Sequence, residues 1–192
     1  MAMQASSSLG IVLLLLAGFI LRSSKAFPLS TPLYDTSFLN RSSFPAGFIF
    51  GTASASYQVL LKKVVEDQAY GIPTLTNIQR PLLYTKTKYD DPLIYITENG
   101  IDQLNDPKLT LEEALFDTSR VDYHFRHLYY LQKAIKDGVK VKGYFVWSLL
   151  DNFEWVSGYT VRFGINYVDY KNEQKRYPKL SAHWFKNFLK KY

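Results

Sequence analysis

The period of apolar positions changes several times along the chain, and each change predicts an element. Residues 48–51, Phe-Ile-Phe-Gly, read as a short strand closed by the small-residue turn 52–56. Residues 59–69 place Leu60, Leu61, Val64 and Val65 at helical spacing, and 82–89 reads as a second helix stopped by Asp91-Pro92. An unbroken apolar run at 93–97 predicts a buried strand. Residues 111–116 form a short helix and 117–137 a long one, in which Val121, Phe125, Leu128, Leu131 and Ile135 recur at steps of three and four. Gly138 sits where a helix C-cap glycine belongs. A further apolar strand spans 141–149. Residues 163–170 alternate like an edge hairpin strand, and an amphipathic helix at 181–191 turns Phe185, Phe188 and Leu189 inward. Strands alternating with helices predict an α/β class with parallel strands.

Two of these strands run into acids. Residues 93–100 read Leu-Ile-Tyr-Ile-Thr-Glu-Asn-Gly, and 146–155 read Val-Trp-Ser-Leu-Leu-Asp-Asn-Phe-Glu-Trp. An apolar strand that ends in a carboxylate suits a parallel barrel, with core along its length and chemistry at its carboxyl end. Asn99-Gly100 is also a strong hairpin signal, which would leave Glu98 as a surface turn residue. A hairpin needs a second alternating strand, and residues 101–110 are polar and interrupted by Pro107. Glu98 is therefore read as the end of a barrel strand. A lone tryptophan is ordinarily core packing. Trp147 and Trp155, with Asp151, Asn152 and Glu154 between them, fit a sugar site better: indole faces stack on pyranose C–H faces and carboxylates accept hydroxyl hydrogen bonds.

Composition narrows the function classes. A chain that is 47% hydrophobic and 16% aromatic can bury a core, which excludes a disordered class. With no cysteine, disulfides and thiolate metal sites are excluded. The apolar stretch 9–21, followed by Arg22, Ser23, Ser24, Lys25 and Ala26, is read as a secretory signal peptide cleaved after Ala26. It falls short of the roughly 20 residues that span a bilayer. Its removal takes Arg22 and Lys25 and lowers the formal charge of +6 by two. An excess that small, spread over lysines, reads as solvated surface and not as a nucleic-acid face. In a secreted chain Asn40-Arg41-Ser42 is a glycosylation acceptor triplet. His124 and His127 on the long helix are read as structural, with His127 turned off the buried side, and no metal or cofactor is expected.

Three segments carry a resemblance: Phe48-Ile-Phe-Gly-Thr-Ala-Ser-Ala-Ser-Tyr-Gln58, Ile94-Tyr-Ile-Thr-Glu-Asn-Gly100 and Trp147-Ser-Leu-Leu-Asp-Asn-Phe-Glu-Trp155. They resemble signature segments of the glycoside hydrolase family 1 β-glucosidases, most of all the plant secretory type. The resemblance is essentially continuous over 82–192 and also covers the lead-in to Gln58. It implies a β-D-glucoside as substrate, a retaining mechanism and Glu98 as the nucleophile. It places Gln58, Trp147, Glu154 and Trp155 on the glucose, and Phe163 as a site-lining aromatic.

The chain also departs from that family. A retaining glycosidase needs a second carboxyl group about 5–5.5 Å from the nucleophile. The resemblance implies that it lies in an Asn-Glu-Pro segment, and no such tripeptide occurs here. Residues 59–79 form an unassigned junction. Glu66, Asp67, Glu112 and Glu113 lie in helical or polar surface settings, and Glu154 would have to leave its sugar contact to substitute. The expected fold is therefore an incomplete TIM (β/α)8 barrel over 27–192, retaining roughly strands one, seven and eight with their helices. The missing strands would account for the absent cysteines. Open strand edges favour self-association. The functional expectation is a weak or inactive β-glucosidase of the secretory pathway, bound for the cell wall, extracellular space or vacuole. The alternative is a non-catalytic sugar-binding remnant or a product of aberrant splicing without function. No nucleic-acid partner is expected, and no membrane partner once the leader is gone.

Overall fold

The structure is a computed structural model that describes residues 39–53 and 78–190 in full and the backbone of Val12–Gly18. Gln58, the predicted helix 59–69 and most of the junction lie outside the described residues.

A parallel four-stranded sheet organises the molecule. Its strands are β1 (Val12–Gly18), β2 (Ile49–Ala53), β3 (Ile94–Ile101) and β5 (Val141–Trp147), in the order β1-β3-β5-β2. The short β4 (Gln103–Leu104) pairs antiparallel with β6 (Val161–Arg162), and β7 (Asn166–Asp169) with β8 (Lys175–Pro178). Among the described residues the sheet does not close on itself. β2 forms one edge, and β1, from the apolar stretch read as a leader, lies along the outer edge of β3.

Helices α1 (Gln79–Lys88), α3 (Thr118–Lys136) and α4 (Leu180–Phe188) cover one face of the sheet, and the short α2 (Leu111–Leu115) precedes α3. Alternation decides what each strand gives them. Ile94 and Ile96 of β3 and Tyr144 and Val146 of β5 point into the helix layer. There they meet Leu82, Val121, Leu128, Leu131, Trp184, Phe185 and Phe188, all buried. Phe50 of β2 packs on Phe48 and on Phe188 of α4, with ring centroids 4.8 and 5.3 Å apart. On the opposite face Tyr95 and Phe145 lie over glycines. A β-carbon on Gly143 would stand 2.8 Å from the Tyr95 ring, and one on Gly51 2.6 Å from Phe145. No helix is long and apolar enough to cross a membrane among the described residues.

The long helix follows its apolar stripe, with Val121, Leu128 and Leu131 fully buried and Gly138 ending it at φ +83°. Two elements differ from expectation. The strand predicted at 93–97 continues to Ile101, because Asn99 and Gly100 stay in the sheet and do not turn. The strand expected at 163–170 is shortened to β7, Asn166–Asp169. Phe163, Gly164 and Ile165 separate β6 from β7, and Gly164 is pressed so closely against the backbone of Asp151 and Leu150 that any β-carbon there would clash.

Candidate functional site

Glu98 lies near the carboxyl end of β3, half-buried, and burial raises its carboxyl above the ordinary range. It sits in an irregular stretch of strand. Ile96 pairs with Tyr144 of β5 and Asn99 with Val146, so three steps on β3 oppose two on β5. The β1 ladder shows the same irregularity, passing from Ile96 to Glu98 between consecutive β1 residues. The extra residue is a β-bulge at Thr97 and Glu98, a device that re-aims side chains.

β5 carries the second part of the site. Past Trp147 the chain leaves the sheet through a loop that returns at Glu154. The Trp147 indole donates to Glu154 Oε1 at 3.3 Å, and Asn152 Nδ2 donates to the same oxygen at 2.8 Å. Asn152 is oriented by the Ser148 hydroxyl, which is shared between the Leu150 carbonyl at 2.7 Å and Asn152 Oδ1 at 2.9 Å. Burial raises the Glu154 carboxyl to about 7, more than its two hydrogen bonds lower it, and the charges of Asp102 and Glu98 push the same way.

Trp155 follows in the left-handed region at φ +47°, in a turn closed by Glu154 N donating to Gly158 O at 2.8 Å. It is 42% exposed. Phe163, read as a site-lining aromatic, is buried. Only 1% of it is exposed, and its carbonyl accepts from the Ser148 N–H at 3.3 Å. Asn40 caps the turn Arg41–Ser43, its Oδ1 accepting from Ser42 N at 2.9 Å.

The sequence places Asp151 among candidate sugar groups, whereas in the structure its carboxylate holds these loops. Asp151, fully buried, accepts from Arg162 at 2.6 Å, Lys179 at 2.9 Å, Gly164 N at 2.9 Å and Val168 N at 3.2 Å. Arg162 also stacks its guanidinium 3.9 Å from the Tyr167 ring centroid. A second buried pair, Asp117 and Arg120 at 2.6 Å, ties α3 to Ser181 at the start of α4. Both histidines have structural contacts. His124 Nδ1 lies 2.9 Å from the Tyr144 hydroxyl. His127, expected off the buried side, is 4% exposed because its ring stacks on Tyr123 and its Nδ1–H reaches the Tyr123 carbonyl at 2.8 Å. Nothing in apolar periodicity announces a polar residue inside an apolar layer.

Residues 65–192 match the model of Glycosyl hydrolase family 1. β-Glucosidase 12 of rice (Oryza sativa subsp. indica) is 63% identical over 110 residues, 57% of this chain and 22% of that protein. Oleuropein β-glucosidase of Olea europaea is 54% identical over 126 residues, 65% of this chain and 22% of that protein. Among solved structures, a rice Os3BGlu6 β-glucosidase is similar at 50% identity and a TM-score of 0.58, covering 59% of this chain and 24% of that one. A family 1 β-glucosidase from the fungus Humicola insolens, solved with glucose, is similar at 41% identity and a TM-score of 0.56, over 64% of this chain and 27% of that one. The matched stretch is thus about a fifth to a quarter of the length of these relatives.

Proposed function

This chain belongs to glycosyl hydrolase family 1, and from that premise we propose that it keeps the glucose-binding and nucleophilic wall of a retaining β-glucosidase without the wall that supplies the general acid. The observation that carries this reading is the joint placement of Glu98 and the Trp147–Glu154–Trp155 group at the carboxyl ends of adjacent parallel strands, on the face free of helices. β2, β3 and β5 then correspond to barrel strands one, seven and eight, which adjoin in a closed barrel, and the sheet order β3-β5-β2 supports that correspondence.

In the proposed reaction the Glu98 carboxylate attacks the anomeric carbon of a β-D-glucoside. The glycosidic C–O bond breaks with its electron pair leaving on the aglycone oxygen. Water then displaces Glu98, releasing glucose and a proton. Glu154 and Trp155 hold the sugar, with Gln58 a further contact. The assisting proton donor is missing, and general acid catalysis contributes typically 10²–10⁴-fold. Turnover is therefore confined to glucosides whose leaving group needs no protonation. The leader sends the chain into the secretory pathway and Asn40 carries a glycan.

The test is incubation with 2,4-dinitrophenyl 2-deoxy-2-fluoro-β-D-glucoside, followed by peptide mapping. Covalent label on Glu98, with no hydrolysis of cellobiose, is the expected result. Absence of label with retained calorimetric binding of gluconolactone would favour a second reading, a sugar-binding remnant, which the raised carboxyl of Glu154 and the exposure of Trp155 also support.

A further inference from the structure

Strand parity makes the bulge beside Glu98 consequential. Ile96 faces the helix layer, paired with Tyr144, and in a regular strand residue 98 would face the same way. The extra residue breaks that parity. Asn99, paired with Val146, returns to the helix layer, and Glu98 is left on the opposite face with Trp147. A slip of one residue would carry the carboxylate into the apolar core.

Something must hold the strand in this register, and the side of β3 away from Glu98 supplies it. Asn99 is fully buried, and its Oδ1 accepts from the Tyr144 hydroxyl at 2.6 Å. Because that hydroxyl proton is committed to Asn99, the Tyr144 oxygen can only accept from His124 Nδ1, 2.9 Å away on α3. In that arrangement His124 Nδ1 carries the proton it donates, and burial keeps the ring neutral. One residue later Gly100 lies so close against the Trp147 carbonyl that a β-carbon there would overlap it, so β3 closes tightly on β5 as soon as the bulge ends.

We propose that the buried chain Asn99–Tyr144–His124 is a positioning device: it locks the bulge from the helix side and so holds the Glu98 carboxylate on the open face. As a statement about catalysis it rests on the proposed role of Glu98. As a statement about register it does not. The three residues touch no substrate. They act through the backbone of 97–99.

The experiment uses the full chain, isotopically labelled, with Tyr144→Phe as the perturbation and Leu131→Ala as a core control. Three readouts are taken: amide exchange along β3, the carbon-13 titration of the Glu98 carboxyl, and the rate of labelling by the dinitrophenyl fluoroglucoside. Tyr144→Phe is expected to speed exchange at 98–100 at least tenfold while Ile94 and Ile96 change less than twofold. It should also move the Glu98 titration and slow labelling at least tenfold. Leu131→Ala should speed exchange along the whole strand without that selectivity. On the unaltered chain, nitrogen-15 shifts of His124 must report a neutral ring protonated at Nδ1, a readout that needs no variant to fold. A ring protonated at Nε2, or exchange in Tyr144→Phe as uniform as in Leu131→Ala, overturns the inference. If the unaltered chain takes no label while exchange still responds selectively, the nucleophile reading fails and the positioning inference stands.

Discussion

Replacing Asp151 with alanine removes a carboxylate bonded to two buried cations, Arg162 at 2.6 Å and Lys179 at 2.9 Å. It also strips the Gly164 and Val168 N–H groups of their acceptor. Breaking a buried ion pair from one side costs about 3–5 kcal/mol, and each orphaned buried donor about 1–3 kcal/mol. These terms overlap, because water admitted to the gap serves several groups at once. Lys179 also has a way out. Burial, helped by the Arg120 charge, already lowers its ammonium to about 7, with Asp151 opposing the shift, so without Asp151 it sheds its proton readily. The expected net loss is roughly 4–6 kcal/mol, most of the stability of a domain near the lower end of about 5–15 kcal/mol.

Urea unfolding at pH 7, followed by tryptophan fluorescence and far-UV circular dichroism, measures that loss. The cause is isolated by a cycle of Asp151→Ala, Lys179→Met and the double variant. If an unpaired ammonium carries much of the cost, Lys179→Met on the Asp151→Ala background should recover about 1–4 kcal/mol, the gain seen when buried charges give way to apolar side chains. A loss below about 1 kcal/mol for Asp151→Ala refutes the reasoning, and a double variant no more stable than that single one shows that Lys179 has shed its proton.

Four other substitutions draw on the same geometry. Glu154 has a folded-state carboxyl raised from 4.5 to about 7, so its stabilising contribution is complete below pH 4.5 and lost as pH rises through about 7; Glu154→Gln should flatten unfolding free energy over that window, and an unchanged slope refutes the assignment. Lys179 runs the other way. Its amine is lowered from 10.5 to about 7, so its contribution is present above pH 10.5 and lost as pH falls through about 7; Lys179→Met should remove the rise in stability between those limits, read by the same titration. Gly100→Ala drives a β-carbon against the Trp147 carbonyl and should cost about 1–3 kcal/mol in urea unfolding. Trp155→Ala, at an exposed side chain, should change stability by less than about 0.5 kcal/mol yet weaken gluconolactone binding in calorimetry, and a loss confined to stability would count against its role as a sugar platform.

How much of the fold is legible in sequence depends on whether a feature repeats along the chain. The stripe Val121, Leu128, Leu131 and the glycine at 138 are local and periodic, and α3 follows them with its cap at φ +83°. The carboxyl end of β3 is neither. Asn99-Gly100 is as good a turn signal as sequence offers, and the chain nonetheless stays extended through both, because the Asn99 amide oxygen is already claimed by Tyr144, far away in sequence. His127 escapes the stripe for a related reason. A stripe assigns residues to a helix face by apolarity, and His127 becomes buried by stacking on its own neighbour Tyr123 and donating to its carbonyl. Asp117 occupies the N-cap position of α3, but its carboxylate instead serves Arg120 and Ser181.

For the site, residue types are readable and faces are not. Strand parity predicts from any one buried residue where all the others point, but a single inserted residue inverts every prediction beyond it. Counting from Ile96 in a regular strand would send Glu98 into the core and Asn99 to the site. The opposite arrangement exists because β5 pairs Val146 with Asn99 and leaves Thr97 and Glu98 to bulge. The energetics agree with the bulge. An ionisable carboxyl facing Ile94, Ile96 and Val121 would be driven to its neutral form, whereas the amide at 99 carries no charge and its oxygen accepts from the Tyr144 hydroxyl there. On the helix-free face Glu98 keeps enough water to remain half-exposed, and burial raises its carboxyl without any partner having to neutralise it. The Glu154 carboxyl, closed in by Trp147 and Asn152, is raised to about 7, chiefly by burial.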